Sequence, residues 1–526
     1  MALRRGSIKR GTLLALLGLG LLLVILSNLP SFRLALGAIQ RGWPHGGLIR
    51  ELLGLVGRGY ALARGALFNP LSVALYGVVI GAVILLENRN PDRTVAWLMA
   101  LALVPLLGLV AYLLVGPKFA SARALRRRHQ ELARHRRYPL EVEIPPSEFQ
   151  GVARLLVKTN GAVPLAFQDV TVLSDSASAF GAMFAALEGA KGYLHAQFFS
   201  LTSDGTGRRF AQLLMEARRR GVEVRLLYDG VGSWGLERDL LEELKAAGVR
   251  AVPFLPISFP MFRREFNYRN HRKILVVDGS VAFVGGFNVG DKYVGLAKGL
   301  SPWRDTMLRI RGDGALGLDD VFRRDWRFAS GEELPLWNPP PAWGGPFVQV
   351  ATGGPDSPGD PLKHAYLAAM GACRERLWLT TPYLVPGMEV MEAMRTAAMR
   401  GVDVRLVIPG RPDHRTVYFA SRHHIGELLE AGVQVYRYQR GFIHAKTMIV
   451  DRELAAVGTL NLDVRSLEIN YEVQAFIHHR RTVERLEADF VKDFMDSHLV
   501  TREEWASRGL WERLLDSSFR LLSPEL

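Results

Sequence analysis

The residues in this 526-residue chain best suited to chemistry come in two matched sets. The first is His271-x-Lys273-x4-Asp278-x6-Gly285-Gly286-x-Asn288 and the second is His444-x-Lys446-x4-Asp451-x6-Gly458-Thr459-x-Asn461. His, Lys, Asp and Asn recur at identical spacing over 18 positions, a coincidence that chance explains poorly. Two imidazoles suit a double displacement, one as nucleophile and the other as general acid and then base. Two lysines and two asparagines supply positive charge and neutral donors, a set that fits phosphate oxygens. No acidic cluster or His/Cys set offers a site for magnesium or zinc, so no metal and no cofactor is expected. Charge on a phosphoryl group would instead be offset by lysine and oriented donors. The expected chemistry is metal-independent phosphodiester transfer through a phosphohistidine. Isolated histidines such as His195 and His364 are expected to be structural.

Strands must position these groups. Between Lys and Asp each set has an apolar run, Ile274–Val277 and Thr447–Val450. On a strand His and Lys, two apart, would project from one face toward a common site. The repeat extends further. Ala217-Arg-Arg-Arg-Gly-Val-Glu-Val-Arg225 recurs 180 residues later as Ala397-Ala-Met-Arg-Gly-Val-Asp-Val-Arg405, each a helix end, a Gly turn and a buried strand (Val224–Tyr228, Val404–Ile408). Two homologous α/β halves are therefore expected, over 138–338 and 339–500, with Pro339, Pro340, Pro341, Gly344 and Gly345 in the linker. A tail over 501–526 looks amphipathic and has two readings, packing on the domain or touching a bilayer.

The formal net charge of +14 is unevenly spread. Residues 1–137 hold 19 Lys+Arg against 4 acids, and residues 138–526 hold 47 against 48. The catalytic part, at −1, offers no domain-wide cationic surface for a nucleic acid. The N-terminal quarter is also apolar. Residues 11–32, 65–86 and 94–117 carry no charged side chain, and each reaches the length of about 20 residues that spans a bilayer. The last two, joined by Glu87–Thr94, read as a transmembrane hairpin over 65–117. The basic segment 118–137 behind them is a positive-inside signal that places the catalytic part in the cytoplasm, and it would attract anionic lipid. Residues 1–64 combine the first apolar run with an amphipathic stretch. A signal peptide lacks a convincing cleavage site there, and three spans would leave basic flanks on both sides of the membrane. A single cysteine, Cys373, excludes an intramolecular disulfide.

The paired motifs resemble the phospholipase D superfamily, and longer matches resemble its bacterial cardiolipin synthase branch. They include Asn267-Tyr-Arg-Asn-His-Arg-Lys-Ile274, Gly285-Gly-Phe-Asn-Val-Gly-Asp-Lys-Tyr293, Trp303-Arg-Asp-Thr306, Pro409-Gly-Arg-Pro-Asp-His-Arg415 and Asn461-Leu-Asp-Val-Arg-Ser-Leu-Glu-Ile-Asn-Tyr-Glu472. The resemblance covers about residue 70 to the C-terminus. Residues 1–65 depart from it, because the family usually has two N-terminal spans. It implies two phospholipase D-like α/β/α sandwich halves forming one bilobed catalytic unit behind transmembrane helices, in a multi-pass protein of the cell membrane. The implied reaction converts two phosphatidylglycerol molecules to cardiolipin and glycerol. It further implies His271 as the nucleophile, His444 as acid and base, and Lys273, Lys446, Asn288 and Asn461 around the phosphate. Glu472 would orient an active-site histidine, with Asp305 a candidate for the matching role. Asp278 and Asp451, grouped with the catalytic set, are expected to orient or support, since a carboxylate beside a phosphodiester would repel it. A hydrolytic phospholipase D or another phosphatidyltransferase would share these motifs. A nuclease is disfavoured by the charge distribution, and a scaffold would need neither motif intact.

Overall fold

The computed structural model describes residues 91–103, 108, 142–256, 268–297, 299–335, 345–357 and 359–520. The chain divides into two units, 1–117 and 118–526. In the first, helix α1 (Pro91–Leu103) is described. Among the described residues no helix is long and apolar enough to cross a membrane. The runs expected to span at 11–32 and 65–86 lie outside them, as do most of 104–117 and the basic segment 118–137.

The second unit begins with α2 (Gln150–Asn160), β1 (Leu165–Ala166), β2 (Asp169–Leu173), α3 (Ser176–Gly189), β3 (Tyr193–Phe198), α4 (Gly205–Arg219), β4 (Glu223–Asp229), α5 (Arg238–Ala246) and β5 (Arg250–Phe254). It continues with β6 (Ile274–Val277), β7 (Val281–Gly285), β8 (Trp303–Arg304), β9 (Met307–Arg311) and α6 (Gly314–Ser330). The second copy comprises β10 (Phe347–Gly353), α7 (Pro361–Ala372), β11 (Arg376–Thr380), β12 (Leu384–Val385), α8 (Met388–Met399), β13 (Asp403–Pro409), α9 (Arg415–Ala431) and β14 (Gln434–Tyr438). After it come β15 (Phe442–Ile443), β16 (Thr447–Val450), β17 (Leu454–Gly458), β18 (Leu462–Asp463), α10 (Val464–Glu468), β19 (Glu472–His478), α11 (Arg480–Met495), β20 (Ser497–Leu499), α12 (Arg502–Ala506) and α13 (Leu510–Arg520).

The repeat is a repeat of topology. One sheet runs β2-β9-β7-β6-β3-β4-β5, and the other contains the same order as β10-β19-β17-β16-β11-β13-β14. In each, three parallel strands (β3-β4-β5, β11-β13-β14) join antiparallel neighbours. The strands over Ile274–Val277 and Thr447–Val450 are buried along their whole length, as apolar runs without alternation require. Their inner faces share one core, in which Ile274, Val276, Val284 and Ile310 of one sheet join Ile449, Val457, Val473 and Ile477 of the other. Helices cover the outer faces. In α4, Phe210, Leu213, Leu214 and Ala217 lie at helical spacing toward the core, and Asp204 caps its start by accepting from Gly207 N at 3.0 Å. Two homologous sheets packed face to face between helices give a mixed α/β sandwich of two halves.

Two details differ from the plain sequence division. Residues 142–166, assigned by sequence to the first half, serve the second: β1 pairs with β10, and Phe149, Val152 and Leu156 join the core of the second sheet's outer face. The strands β6 and β16 begin only after Lys273 and Lys446, so each His-x-Lys lies in the approach to its strand rather than within it. Of its two expected places the tail takes the domain, packing through one face, with Trp505 and Asp516 buried and Phe519 stacked on Phe419 at 5.4 Å. Leu510, Trp511, Leu514 and Leu515 on α13 stay exposed. The linker over 336–344 lies outside the described residues.

Candidate active site

Each histidine is held by the opposite half. Tyr471 N donates to Arg269 O and His271 N donates to Tyr471 O, both at 2.9 Å, so the approach to β6 runs beside the start of β19. The arrangement is reciprocated where β15 pairs in parallel with β8 and His444 N donates to Arg304 O at 2.7 Å. These backbone bonds set the register of each ring on a carboxylate. His271 Nδ1 lies 2.9 and 3.0 Å from the two Glu472 oxygens. His444 Nδ1 lies 2.7 Å from Asp305 Oδ2. A carboxylate at Nδ1 selects the tautomer protonated there and leaves the lone pair on Nε2. The two rings are thus prepared for attack and for proton transfer through Nε2.

Both carboxylates are fully buried, and the local sequence makes room for them. A Cβ at Gly286 would meet Asp305 Oδ1 at 2.0 Å, so only glycine admits that carboxylate. At the matching position of the second set Thr459 donates its hydroxyl to Glu472. The Gly-Gly and Gly-Thr pairs of the motifs therefore each support the carboxylate of their own half, one by space and one by a hydrogen bond.

The lysines are buried beside their histidines. Lys273 Nζ donates to the His271 carbonyl at 2.6 Å, and Lys446 Nζ donates to the His444 carbonyl. Asn288 accepts from Ser200 N at 3.0 Å, which fixes its amide. Asn461 bonds the Asp463 side chain, and its Oδ1 is buried without a partner. Phe199 meets His271 edge-on at 5.1 Å, while Trp303, at 5.1 Å, and Tyr383, at 6.4 Å, flank His444.

This low-dielectric setting shifts every group. Burial pushes His271 down to about 4, against the pull of Glu472. Burial, and then the charge of Lys446, hold His444 well below its ordinary value. Burial depresses Lys273 strongly and Lys446 to about 8. Asp305 is pushed up to about 6 by burial, with Lys446 opposing. Burial would raise Glu472 as well, but His271 and then Lys273 outweigh it and keep it below the usual carboxylate range. Two imidazoles held neutral by burial, beside two buried lysines whose charge an anion would stabilise, make a site suited to a phosphodiester. Among the described residues no group of three or more His, Cys, Asp or Glu side chains could hold a metal.

Asp278 and Asp451 stand apart from this cluster. Asp278 accepts from the backbone amides of Lys191, Gly192 and Tyr193 at 3.0, 2.7 and 2.9 Å. Asp451 does the same for Arg374, Glu375 and Arg376. Both have positive φ, 51° and 48°, at the turn that leaves β6 or β16. With a rise of about 3.3 Å per residue, the strand carries each some 15 Å from its lysine. They tie the first strand of each sheet's parallel set to the motif strand. His195 is structural too, with Nδ1 2.6 Å from Asp319 and its ring stacked on Phe322.

Sequence reasoning missed Arg272. Lying between His271 and Lys273, it is 1% exposed and bonds Asp325 at 2.6 Å, Asp356 at 2.9 Å and the Glu472 carbonyl at 3.0 Å. It fastens the His271 segment to both halves. Its only sequence signal was a charge inside a motif whose second copy has Ala445.

Comparison with known proteins agrees with this architecture. The family described as "Cardiolipin synthase, PLD-like domain" matches residues 183–326 and 366–494. The family described as "Phospholipase D-nuclease N-terminal" matches 73–117. The chain is 40% identical over 463 residues to a cardiolipin synthase of Geobacillus kaustophilus, covering 85% of this chain and 92% of that one. It is 38% identical to cardiolipin synthase 2 of Bacillus cereus, covering 85% and 90%. Among solved structures, phosphatidylserine synthase of Haemophilus influenzae Rd KW20 shares the fold, with TM-score 0.56 at 13% identity over 72% of this chain and all of that one.

Proposed function

The chain belongs to the cardiolipin synthase family of phospholipase D-like phosphatidyltransferases, and we propose that it joins two phosphatidylglycerol molecules through a phosphatidyl group carried on His271. The observation that carries the proposal is the reciprocal pairing of two histidines with two buried carboxylates, each supplied by the opposite half. His271 Nε2 attacks phosphorus, a P–N bond forms, and the bond to the glycerol oxygen breaks. His444 Nε2 donates the proton that the departing glycerol takes. The same nitrogen then removes a proton from the hydroxyl of a second phosphatidylglycerol, whose oxygen attacks phosphorus and releases His271. Lys273, Lys446, Asn288 and Asn461 offset and orient the phosphate charge.

Two electrostatic facts favour these roles. Glu472 stays ionised, which suits a partner for a ring that becomes cationic on phosphorylation. His444 is depressed by burial and next by Lys446, so an arriving phosphate anion, by offsetting Lys446, raises its pKa toward the protonated form the first step needs. In the same proposal residues 65–86 and 94–117 form a membrane hairpin, 118–137 lies on the cytoplasmic surface among anionic lipids, and the catalytic unit faces the cytoplasm.

The test is product analysis. Purified full-length protein supplied with phosphatidylglycerol as the only lipid, with chelator, should yield cardiolipin and glycerol. His271→Ala and His444→Ala should each abolish the yield. Phosphatidic acid as the main product would make the enzyme a hydrolase, and loss of activity with chelator would remove the metal-free route.

A further inference from the structure

The segment Pro409-Gly-Arg-Pro-Asp-His-Arg415 joins β13 to α9 and has no part in the steps above. Its Asp413 side chain is only 6% exposed. Tyr383 Oη donates to its Oδ2 at 2.8 Å. His414 Nε2 and Lys292 Nζ approach the same oxygen at 3.7 and 3.8 Å. Among the described residues every contact to this carboxylate is made at Oδ2 and none at Oδ1. One oxygen is committed to holding the group in place and the other is not.

The surroundings tie this carboxylate to the second histidine. Tyr383, its donor, lies 6.4 Å from the His444 ring. Lys292, its partner from the first half, sits 5.1 Å from the Trp303 ring, which is itself 5.1 Å from His444. Asp413 is therefore bonded to one of the two aromatic side chains that flank His444 and lies beside the lysine that covers the other. A surface cleft is lined here by Tyr383, Arg411, Asp413, His414, Tyr418 and Phe442.

A carboxylate next to a phosphodiester is repelled, but beside the alcohol end of the reaction it meets hydroxyl groups, which donate. Lys292 offsets its charge, so the site is close to neutral for an uncharged alcohol. We propose that Asp413, held by Tyr383 and Lys292, is the specificity residue for the alcohol that leaves from, or attacks at, the His444 side, and that it selects a polyol by accepting from a hydroxyl not bonded to phosphorus. Glycerol and the glycerol headgroup of a second lipid carry such hydroxyls, and a monohydric alcohol does not. A site built to bond a hydroxyl discriminates steeply against analogues lacking it, because its own polar group is then left unpaired.

The inference rests on the phosphatidyl-transfer reading, and the experiment separates the two. Full-length protein in phosphatidylglycerol micelles is offered isotopically labelled glycerol and 1-propanol at equal concentration. Mass spectrometry then reads the ratio of labelled phosphatidylglycerol to phosphatidylpropanol. The wild type should favour glycerol by on the order of tenfold or more. Asp413→Ala should bring the ratio close to one while retaining propanol transfer, and Tyr383→Phe, which keeps the ring beside His444, should move it in the same direction. An unchanged ratio in both variants overturns the proposal, as does parallel loss of both products in both. If the wild type forms neither product, the transfer reading itself fails and the inference falls with it.

Discussion

Replacing Glu472 with glutamine tests whether a residue of the second half governs the nucleophile of the first. The carboxylate is fully buried and bonds His271 Nδ1 through both oxygens, at 2.9 and 3.0 Å. Glutamine has the same shape and can still accept the Nδ1–H bond, so the substitution removes charge and largely spares geometry. Attack on phosphorus makes the His271 ring cationic, with its charge centred about 4 Å from the carboxylate. At an effective dielectric of about 20, that attraction is worth about 4 kcal/mol. At about 1.4 kcal/mol per tenfold in rate, Glu472→Gln should slow formation of the phosphatidyl-enzyme by about 10³-fold. Rapid quenching of the full-length enzyme after mixing with labelled phosphatidylglycerol, followed by counting protein-bound label under alkaline conditions, measures that step directly. A rate within tenfold of wild type in folded protein would refute the electrostatic argument. Normal formation of the intermediate with slow discharge would refute the pairing itself, because Glu472 would then be serving the other histidine.

Four further outcomes follow from the same geometry. kcat/KM should fall below pH about 6, where Asp305 gains a proton and stops accepting from His444, and again above pH about 8, where Lys446 loses its charge. Asp305→Asn should lower kcat/KM by about 10²-fold and abolish the acid limb of that profile. Gly286→Ala places a methyl 2.0 Å from Asp305 Oδ1 and should cost activity by a similar factor, with a smaller effect on the melting temperature, since the displaced group is the one that orients His444. Asp278→Asn should do the reverse. It keeps the positive φ that asparagine tolerates but weakens bonds to three backbone amides, so thermal unfolding should show a loss of about 1–3 kcal/mol while the folded enzyme keeps its kcat within a few-fold.

Much of the architecture was legible because the repeat is written in residue types. The runs Ile274–Val277 and Thr447–Val450 are strands with those bounds, since a short β-branched and apolar run ended by an aspartate favours a strand closed by a turn. The strands read around Val224 and Val404 each extend one residue further at both ends. The placement of 142–166 was not legible, because nothing in a short apolar stretch says which of two similar sheets it will join. Nor was Arg272, whose partners Asp325 and Asp356 are distant in sequence and come from opposite sides of the linker.

Composition, spacing and repetition were enough to name a histidine, a lysine and an asparagine in each of two equivalent halves as candidates for phosphodiester chemistry. They could not say that the halves exchange their carboxylates. His271 and Glu472 are 201 residues apart, and His444 and Asp305 are 139 apart, with unequal offsets from their own motifs. Only the pairing of residues 269–271 with 471, and of β15 with β8, brings each ring onto the other half's acid. The physical reason is that a spacing within one strand is fixed by covalent geometry, whereas a contact between halves is fixed by which sheet faces pack together. The residues were named by the sequence, and the partnership between them was decided by the fold.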